Sequence, residues 1–430
     1  MGQAVSQLTV HRMQVIRRKT DRLRTHGTYP ALTGRLSCEL LEFLLLETEM
    51  NRRLRLGMVG GGQGGYIGWV HRLAARLDDC YEFVAGALSS DEKRAQQSGR
   101  ALFLDPSRTY TDYREMAAAE AQRPDGIDVV AIVTPNHLHA PVAKAFIEAG
   151  IHVMCDKPLA LSLAEAIEMR DLAQHHDKLL GVTYTYSGYP MVRHAKDLVA
   201  AGELGEVRFI AVEYVQDWLT EPVELHGNRQ AEWRTDPSRT GAGGCLGDIG
   251  THAYHLASFV TGMLPDELSA DVASMVAGRR VDDHVQATLF YRSGARGNLI
   301  ASQIAAGEGN ALRLRVYGTK GSISFDQEHP DFLWHTPLNG NTIRLTKGRA
   351  HSPAADHAAR FPAGHPEGFF EAFAQLYRDA ALQIAAKLEN NAIPANSSLL
   401  TDVNDGVEGM RFVEAALRSH AKGGSRISIR

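Results

Sequence analysis

The chain has 430 residues, of which 44% are hydrophobic and 22% are charged, and its formal net charge is −4. This length predicts two or three domains, and the composition is that of an ordinary soluble globular protein. No basic stripe runs through the body of the chain, and no apolar run approaches the roughly 18 residues that span a bilayer. Nucleic acid and membrane are therefore excluded as main partners.

The four cysteines are far apart in sequence and contain no C-x-x-C pair. This spacing predicts neither a zinc site nor a disulfide framework. Unpaired thiols fit a reducing compartment, so we expect a cytoplasmic protein without a bound metal. Cys155 lies in an apolar run, and we interpret it as a small buried hydrophobic residue.

Residues 1–49 differ in composition from the rest of the chain. The first 24 residues are basic, and the short apolar stretch at 40–46 is interrupted by Glu42. This pattern matches neither a secretory signal nor, after Arg17 and Arg18, a twin-arginine export signal. We expect an upstream extension that is disordered or the product of a misplaced start, and we predict that a chain starting at Met50 folds without it.

A glycine cluster organises the first half of the chain. Gly60, Gly62 and Gly65 fit G-x-G-x-x-G. A short apolar strand is predicted before them at 56–59, and a helix is predicted after them at 69–77. Because the motif requires this strand–turn–helix context, dinucleotide binding is favoured over a merely flexible turn. The glycines allow a tight turn and a close backbone approach to a pyrophosphate, whose charge is stabilised at the helix start.

From Met50 to about residue 186 the pattern alternates between strands and helices. Further strands are predicted at 82–88, 128–134, 151–155 and 179–184, and helices at 89–99, 141–149 and 162–175. Near-continuous apolar strands are typical of a parallel sheet that is covered on both faces. We therefore predict a doubly wound α/β domain over residues 50–186. Ser89 and Glu92 have the spacing of a capping box at the second helix.

Residues 187–430 are predicted as a second domain. Helices are predicted at 190–201, 367–389 and 399–419, and strands at 207–214, 268–276, 285–291, 298–304, 312–317 and 322–325. Short alternating runs separated by turn glycines favour a mainly antiparallel sheet.

Two polar clusters in this half are interpreted as solvated. The loop predicted at 348–368 holds His351, His357 and His365, whose irregular spacing does not favour a metal site. Residues 282–284, Asp-Asp-His, follow a turn glycine and are interpreted as a solvated turn rather than as substrate contacts.

Asp248 and His252 are the strongest candidates for chemistry in the second half. They lie four residues apart in a glycine-rich segment, and in a helix they would share one face. An imidazole beside a carboxylate can act as a tuned general base. The spacing alone is weak evidence, since such pairs are common on surfaces, but the dinucleotide-binding pattern upstream strengthens it.

The chain resembles the glucose–fructose oxidoreductase, inositol dehydrogenase and rhizopine-catabolism family (Gfo/Idh/MocA). The matching motifs are VGGGQGGYIG at 59–68, TPNHLHAPVAKAFIEAGIHVMCDKPLA at 134–160, EWRTDP at 232–237, GAGGCLGDIGTHAYH at 241–255 and YGTKGSISF at 317–325. The resemblance covers nearly all of residues 52–420. It implies an N-terminal Rossmann domain, a C-terminal α/β domain with a large open sheet, and NAD- or NADP-dependent oxidation of a hydroxyl on a sugar, cyclitol or related polyol.

The resemblance also implies site residues. The catalytic set falls on Lys157, Asp248 and His252. Besides the motif glycines, the cofactor-binding positions are Ser89, Ser90, Arg94, Thr134, Pro135, Asn136, His139, Asp156 and Lys157. The substrate-binding positions are Tyr186, Trp233 and Arg234, together with the three catalytic residues.

Two positions depart from the family pattern. Asp156 replaces the usual glutamate of Glu-Lys-Pro, which keeps a carboxylate. At the end of the second strand, Ser89 and Ser90 stand where an acidic residue normally bonds the adenosine ribose, and Arg94 is near. A missing acid with a nearby base accommodates a 2′-phosphate, so both NAD and NADP stay open.

The sequence thus predicts an NAD(P)-dependent dehydrogenase in which His252 acts as the base. Lys157 would hold the substrate oxygen, and Asp248 would bond the substrate or tune the imidazole. The alternatives are a sensing module that binds a dinucleotide without turnover, and an oxidoreductase that never releases its cofactor. The resemblance implies that residues 187–430 serve substrate binding and oligomerisation, so we expect a homodimer or homotetramer formed through the C-terminal sheet. The polyol and the oxidised carbon are not identified by the sequence.

Overall fold

The computed structural model describes residues 50–241 and 243–430. The predicted extension at 1–49 lies outside the described residues. From Arg52 onward the described chain forms one compact unit that contains two β-sheets.

The first sheet is parallel and has five strands, as the alternating pattern predicts. Its strands are β1 (Leu54–Gly60), β2 (Tyr81–Ala87), β3 (Val129–Val133), β4 (His152–Cys155) and β5 (Leu180–Val182). Their spatial order is β2-β1-β3-β4-β5. The order reverses between β1 and β3, so the crevice outside the carboxyl ends of these two strands is the expected ligand site.

Five helices flank this sheet. They are α1 (Tyr66–Leu77), α2 (Glu92–Ala101), α3 (Tyr113–Gln122), α4 (His139–Glu148) and α5 (Leu163–His175). The sequence patterns did not predict α3, which is alanine-rich and buries Glu120 against Arg108. The capping box at α2 was wrong: Asp91 is the N-cap, and its carboxylate accepts the Arg94 amide.

The second sheet has nine strands and is mainly antiparallel. After α6 (Pro190–Ala200) come β6 (Val207–Val215), α7 (Arg229–Arg234), α8 (Pro237–Thr240), α9 (Thr251–Thr261), β7 (Glu267–Ala273), β8 (His284–Phe290), β9 (Arg296–Ser302), β10 (Ala311–Gly318), β11 (Gly321–Asp326), β12 (Phe332–Pro337) and β13 (Ile343–Thr346). The chain closes with α10 (Pro353–Ala358), α11 (Phe369–Leu388), α12 (Val403–Ala421) and β14 (Ile427–Ser428). The α/β fold with two such sheets is confirmed.

The prediction for residues 187–430 left out several features of the structure. The order of the second sheet is β13-β12-β11-β10-β6-β9-β8-β7-β14, and the β6–β9 pair is parallel. The strands β12, β13 and β14 were not predicted. Helix α10 lies within the predicted loop at 348–368, where His357 is buried against Asp379 rather than solvated.

The last two long helices return to the first sheet. On α11, the Tyr377 hydroxyl lies 2.7 Å from Nδ1 of His71, and its carbonyl accepts the Tyr81 hydroxyl at 2.7 Å. Just before α12, the Thr401 carbonyl accepts the Val182 amide at 2.9 Å. The core is therefore shared by the two halves. In the described part of the chain, no helix has the length and apolar character to cross a membrane.

Candidate active site

One cleft of about 490 Å³ runs from the carboxyl ends of β1 and β3 to the second sheet. Most of the predicted site residues line it: Gly62, Gly65, Ser89, Arg94, Thr134, Pro135, Asn136, Asp156, Lys157, Tyr186, Trp233, Arg234, Asp248 and His252. Three predicted residues, Gly60, Ser90 and His139, do not line the cleft. The structure thus brings both halves of the predicted site together.

The glycine turn has the shape that a dinucleotide needs. Gly60 has a φ of +83°, which few other residues adopt. A Cβ on Gly62 would lie 2.6 Å from the Leu88 carbonyl oxygen and fill the turn. The close approach of α1 to the turn is made by Gly68, where a Cβ would lie 2.4 Å from Gly61 Cα, and also by Gly65, where a Cβ would lie 3.1 Å from the same atom.

The start of α1 completes the cofactor cradle. Its N-cap is Gly65, and no side chain caps the helix. The first amides of a helix have no partner within the helix, and the helix dipole favours an anion there. This end of α1 borders the cleft, so the residues present fit the pyrophosphate of a dinucleotide.

At the end of β2, Ser89 and Arg94 line the cleft and Ser90 is exposed. Asp91 is the nearest carboxylate along the chain, and it is used as the cap of α2. Where a ribose-binding acid is usual, the cleft therefore presents a hydroxyl and a guanidinium.

The loop after β3 is supported by the buried side chain of His139. His139 is buried, with its ring nitrogens 2.8 Å from the Pro158 carbonyl oxygen and 3.0 Å from that of Thr134. Burial lowers its pKa. His139 thus supports the loop rather than facing the cleft. The side-chain amide of Asn136 donates to the Thr240 carbonyl at 3.0 Å, which ties the loop to α8.

Lys157 and Asp248 form the centre of the site. The lysine Nζ donates to Asp248 Oδ1 at 2.6 Å and to its backbone carbonyl at 2.8 Å. Gln303 donates to Oδ2 at 2.8 Å, and the Arg234 guanidinium lies 3.6 Å from the same oxygen. Burial alone would raise the pKa of Asp248, but the charges of Lys157 and Arg234 and the hydrogen bonds outweigh burial and lower it. Asp248 is therefore ionised.

Asp248 lies in an irregular turn that precedes α9. Residues Leu246–Gly250 form a π-helical segment, and such segments are frequent at functional sites. Asp282 holds the segment because its carboxylate accepts the amides of Gly244 and Leu246, both at 2.6 Å. Burial raises the pKa of Asp282 to about 6. The interpretation of residues 282–284 as a solvated turn was wrong, since Asp282 and Asp283 are both buried.

His252 opens the regular part of α9 and faces the cleft. Its ring packs edge-on against Tyr186, with centroids 4.8 Å apart, and also against Tyr184 and Tyr214. Burial, and then the charge of Lys157, lower its pKa well below the ordinary value. The imidazole is therefore neutral at neutral pH, and a neutral imidazole can accept a proton.

Two family descriptions match this chain. Residues 54–184 match the oxidoreductase family with an NAD-binding Rossmann fold, and residues 192–324 match the GFO/IDH/MocA C-terminal domain. The chain belongs to the Gfo/Idh/MocA family. It is an NAD-binding oxidoreductase, as the motifs predicted.

Individual members of the Gfo/Idh/MocA family resemble about two thirds or more of the chain. An inositol dehydrogenase homologue from Azotobacter vinelandii, solved with NAD⁺, is 36% identical, with a TM-score of 0.85 over 88% of this chain and 98% of its own. The uncharacterised oxidoreductase YfiI of Bacillus subtilis is 33% identical over 88% of this chain and 97% of its own. Levoglucosan dehydrogenase of Pseudarthrobacter phenanthrenivorans is 31% identical over 66% of this chain and 76% of its own.

Some residues of this Gfo/Idh/MocA site were missed by sequence reasoning. Gln303, at the end of β9, holds Asp248 from 55 residues away. Tyr214 and Gln216, at the end of β6, line the cleft beside His252. The only sequence signal for them was their place at the ends of predicted strands. No group of three potential metal ligands occurs among the described residues.

Proposed function

We propose that this oxidoreductase transfers a hydride between a hydroxyl-bearing carbon of a sugar, cyclitol or related polyol and NAD(P). The observation that carries the proposal is the neutral, buried His252 beside the Lys157–Asp248 pair, in the cleft that also contains the glycine turn. A base of this kind has no purpose in a module that only binds a dinucleotide.

The substrate class is supported by relatives. A structure of the inositol dehydrogenase homologue from Azotobacter vinelandii contains NADH and myo-inositol, and this chain matches it with a TM-score of 0.82 and 34% identity. A levoglucosan dehydrogenase structure contains NADH and levoglucosan. The aromatic and amide side chains beside His252 in this chain, Tyr186, Tyr214 and Gln216, suit a polyhydroxylated ring.

We assign the cofactor to the glycine turn, the start of α1, the loop after β3 and the end of β2. NAD(P)⁺, when bound, supplies the hydride acceptor. The protein supplies orientation and charge. The Lys157 ammonium carries three protons, of which two are directed at Asp248, so one remains for the substrate oxygen.

His252 would remove the hydroxyl proton as the carbon gives up its hydride, because a carbonyl forms only when both leave. Lys157 would stabilise the alkoxide character that develops on the oxygen. Asp248 would hold the lysine and bond a substrate hydroxyl. In the reverse direction His252 returns the proton to the carbonyl oxygen.

The test is His252→Ala, with turnover followed by nicotinamide absorbance on a panel of sugars and cyclitols. Loss of a general base should lower kcat by roughly 10²–10⁴-fold while cofactor binding is kept. Since the pKa of His252 is lowered, wild-type activity should persist well below pH 6.5 and fall only as the imidazole becomes protonated. Lys157→Ala should also lower kcat.

The matched control is His255→Ala. His255 is on the same helix, is buried and stacks on Tyr184, but it does not line the cleft. Its kcat should stay within a few fold of wild type. A near-normal kcat and pH profile in His252→Ala would move the base elsewhere, with Lys157 the next candidate. Cofactor binding without reduction across the whole panel would favour the sensing module.

We also propose that residues 50–186 form the cofactor domain and that residues 187–430 bind substrate and pair with another subunit. One face of the second sheet is covered by α6, α9 and α12. The other face carries Phe209 stacked on Tyr317, both 39% exposed, and Trp334, 45% exposed. The free thiols of Cys80, Cys155 and Cys245 support a cytoplasmic location.

A further inference from the structure

A short two-helix segment, residues 229–241, borders the cleft, and we call it the strap. It comprises α7, α8 and the turn that joins them. Six of its side chains line the cleft: Arg229, Gln230, Glu232, Trp233, Arg234 and Arg239. The strap belongs to the second half of the chain, yet it lines the same cleft as the glycine turn.

The strap is tied to the cofactor half by a buried hydrogen bond, and Gly241 lies against Leu161 of that half. The Asn136 side chain is 5% exposed and donates to the Thr240 carbonyl at 3.0 Å. Asp236 caps α8 by accepting the Ser238 amide at 3.1 Å. Gly241 ends the strap with a φ of +94°, in the left-handed region. The carboxamide of Asn136 therefore fixes where α8 sits.

Arg239 is the residue of α8 that lines the cleft. Arg234 stacks on Trp233 and is 3.6 Å from Asp248, so its charge is already balanced. The half-buried Arg239 side chain, by contrast, has no ion pair or hydrogen bond with any residue that the structure describes. A guanidinium is suited to bidentate recognition of phosphate or carboxylate.

The position of Arg239 favours phosphate. Asn136 belongs to the loop after β3, and β3 pairs directly with β1, so Gly60 lies opposite Val133. The tie to Asn136 thus brings α8 to the sheet edge from which the glycine turn emerges. The turn offers backbone amides, and the nearby Arg72 guanidinium is bonded to the Gly61 carbonyl at 2.8 Å and does not line the cleft. A pyrophosphate carries two negative charges, so a second cation is needed on the cleft side.

We propose that Arg239 binds the pyrophosphate of the dinucleotide, and that Asn136 is a positioning residue that holds Arg239 there through Thr240. The strap then crosses the cofactor, and the Asn136–Thr240 bond must open before the cofactor leaves. The proposal rests on NAD binding and not on the polyol assignment, so it is tested without turnover.

The first experiment measures ligand binding to Arg239→Gln by calorimetry. The Kd for NADH and for ADP-ribose should rise roughly ten- to hundredfold, the usual loss for a hydrogen bond to a charged group. The Kd for adenosine, which has no phosphate, should not change. Arg280→Gln is the matched control, because Arg280 pairs with Asp236 of the strap but does not line the cleft. It should bind NADH like wild type.

The second experiment measures NADH release by stopped-flow fluorescence in Asn136→Ala. Release should be faster than in wild type, and Asn136→Ala should add little in the Arg239→Gln background, because the two residues act as one unit. If Asn136 had only a structural role, Asn136→Ala would lower the melting temperature, and the coupling energy between Asn136→Ala and Arg239→Gln would be zero. Unchanged NADH binding in Arg239→Gln, or full additivity of the two changes, would overturn the proposal. A changed KM for an acidic sugar with unchanged NADH binding would make Arg239 a substrate residue instead.

Discussion

Lys157 is held in the site by several hydrogen bonds. Its ammonium is fixed by one carboxylate oxygen and one carbonyl of the same residue, Asp248. Asp248 is fixed in turn by Gln303. A charged side chain with 15% exposure keeps its place only when such partners hold it. The protein's own side chains therefore hold the centre of the site in place.

We also expect cofactor choice to depend on single residues. Because Ser89 and Arg94 line the cleft and Asp91 caps α2, we expect NADP to be accepted besides NAD. Ser89→Asp places a carboxylate beside the 2′ position, so it should lower kcat/KM for NADP at least tenfold and leave kcat/KM for NAD near wild type. Steady-state kinetics with both cofactors measure the two values.

Ser90→Asp is the control for that change, since Ser90 is exposed and does not line the cleft. It should alter the preference little. If the wild-type protein already prefers NAD several hundredfold, Asp91 reaches the ribose in solution. Capping α2 is then not the main role of Asp91.

The residues that could be predicted from sequence share one property, which is that each belongs to a short local motif. The glycine motif and the Asp248–His252 pair each lie within a few positions, so their pattern is visible without a fold. Asp282 and Gln303 were missed because their contacts span 36 and 55 residues, and nothing local distinguishes them from other polar side chains.

At the scale of elements, the π-helical segment at Leu246–Gly250 decides where Asp248 points. A regular α-helix through this stretch would place Asp248 and His252 on one face by spacing alone. The extra residue per turn shifts that register, and Asp282 holds the shifted amides. Sequence reasoning considered this segment only under the condition that it is helical, and it could not predict the change of period, which depends on a loop from another part of the chain.

Asp282→Ala removes both hydrogen bonds to the start of this segment. The freed amides of Gly244 and Leu246 lose their acceptor, so Asp248 should be held less firmly against Lys157. We expect kcat to fall about tenfold, because small misplacements of catalytic groups are costly. The Kd for NADH should be unchanged, since Asp282 does not line the cleft.

Asp271→Ala serves as the control, because Asp271 is an exposed aspartate that contacts only the exposed His420 among the described side chains. Its kcat and melting temperature should match wild type. A normal kcat in Asp282→Ala would mean that the segment holds its shape without the carboxylate.

For the whole molecule, the open face of the second sheet carries a prediction about assembly. A stable interface buries roughly 1,200–2,000 Å² in total, and aromatic residues are enriched at its centre. We expect a dimer or tetramer, and we expect the double change Tyr317→Glu and Trp334→Glu to yield monomers. Light scattering after size-exclusion chromatography measures the mass.

Phe103→Glu is the control, since Phe103 is 95% exposed on the cofactor half of the chain. This variant should keep the wild-type mass. A wild-type monomer, or a double variant that keeps its assembly, would show that this face is not the interface.

The return of α11 and α12 to the first sheet has a consequence for biosynthesis. When the ribosome has completed β5, neither Tyr377, the partner of His71 and Tyr81, nor Thr401, which pairs with Val182 at the sheet edge, has yet been made. The first sheet is synthesised early, but its packing and edge contacts are completed only when the end of the chain has been made. Until a further 219 residues have been synthesised, the β5 edge is free to pair with other strands. The nascent chain is most exposed to aggregation during this interval.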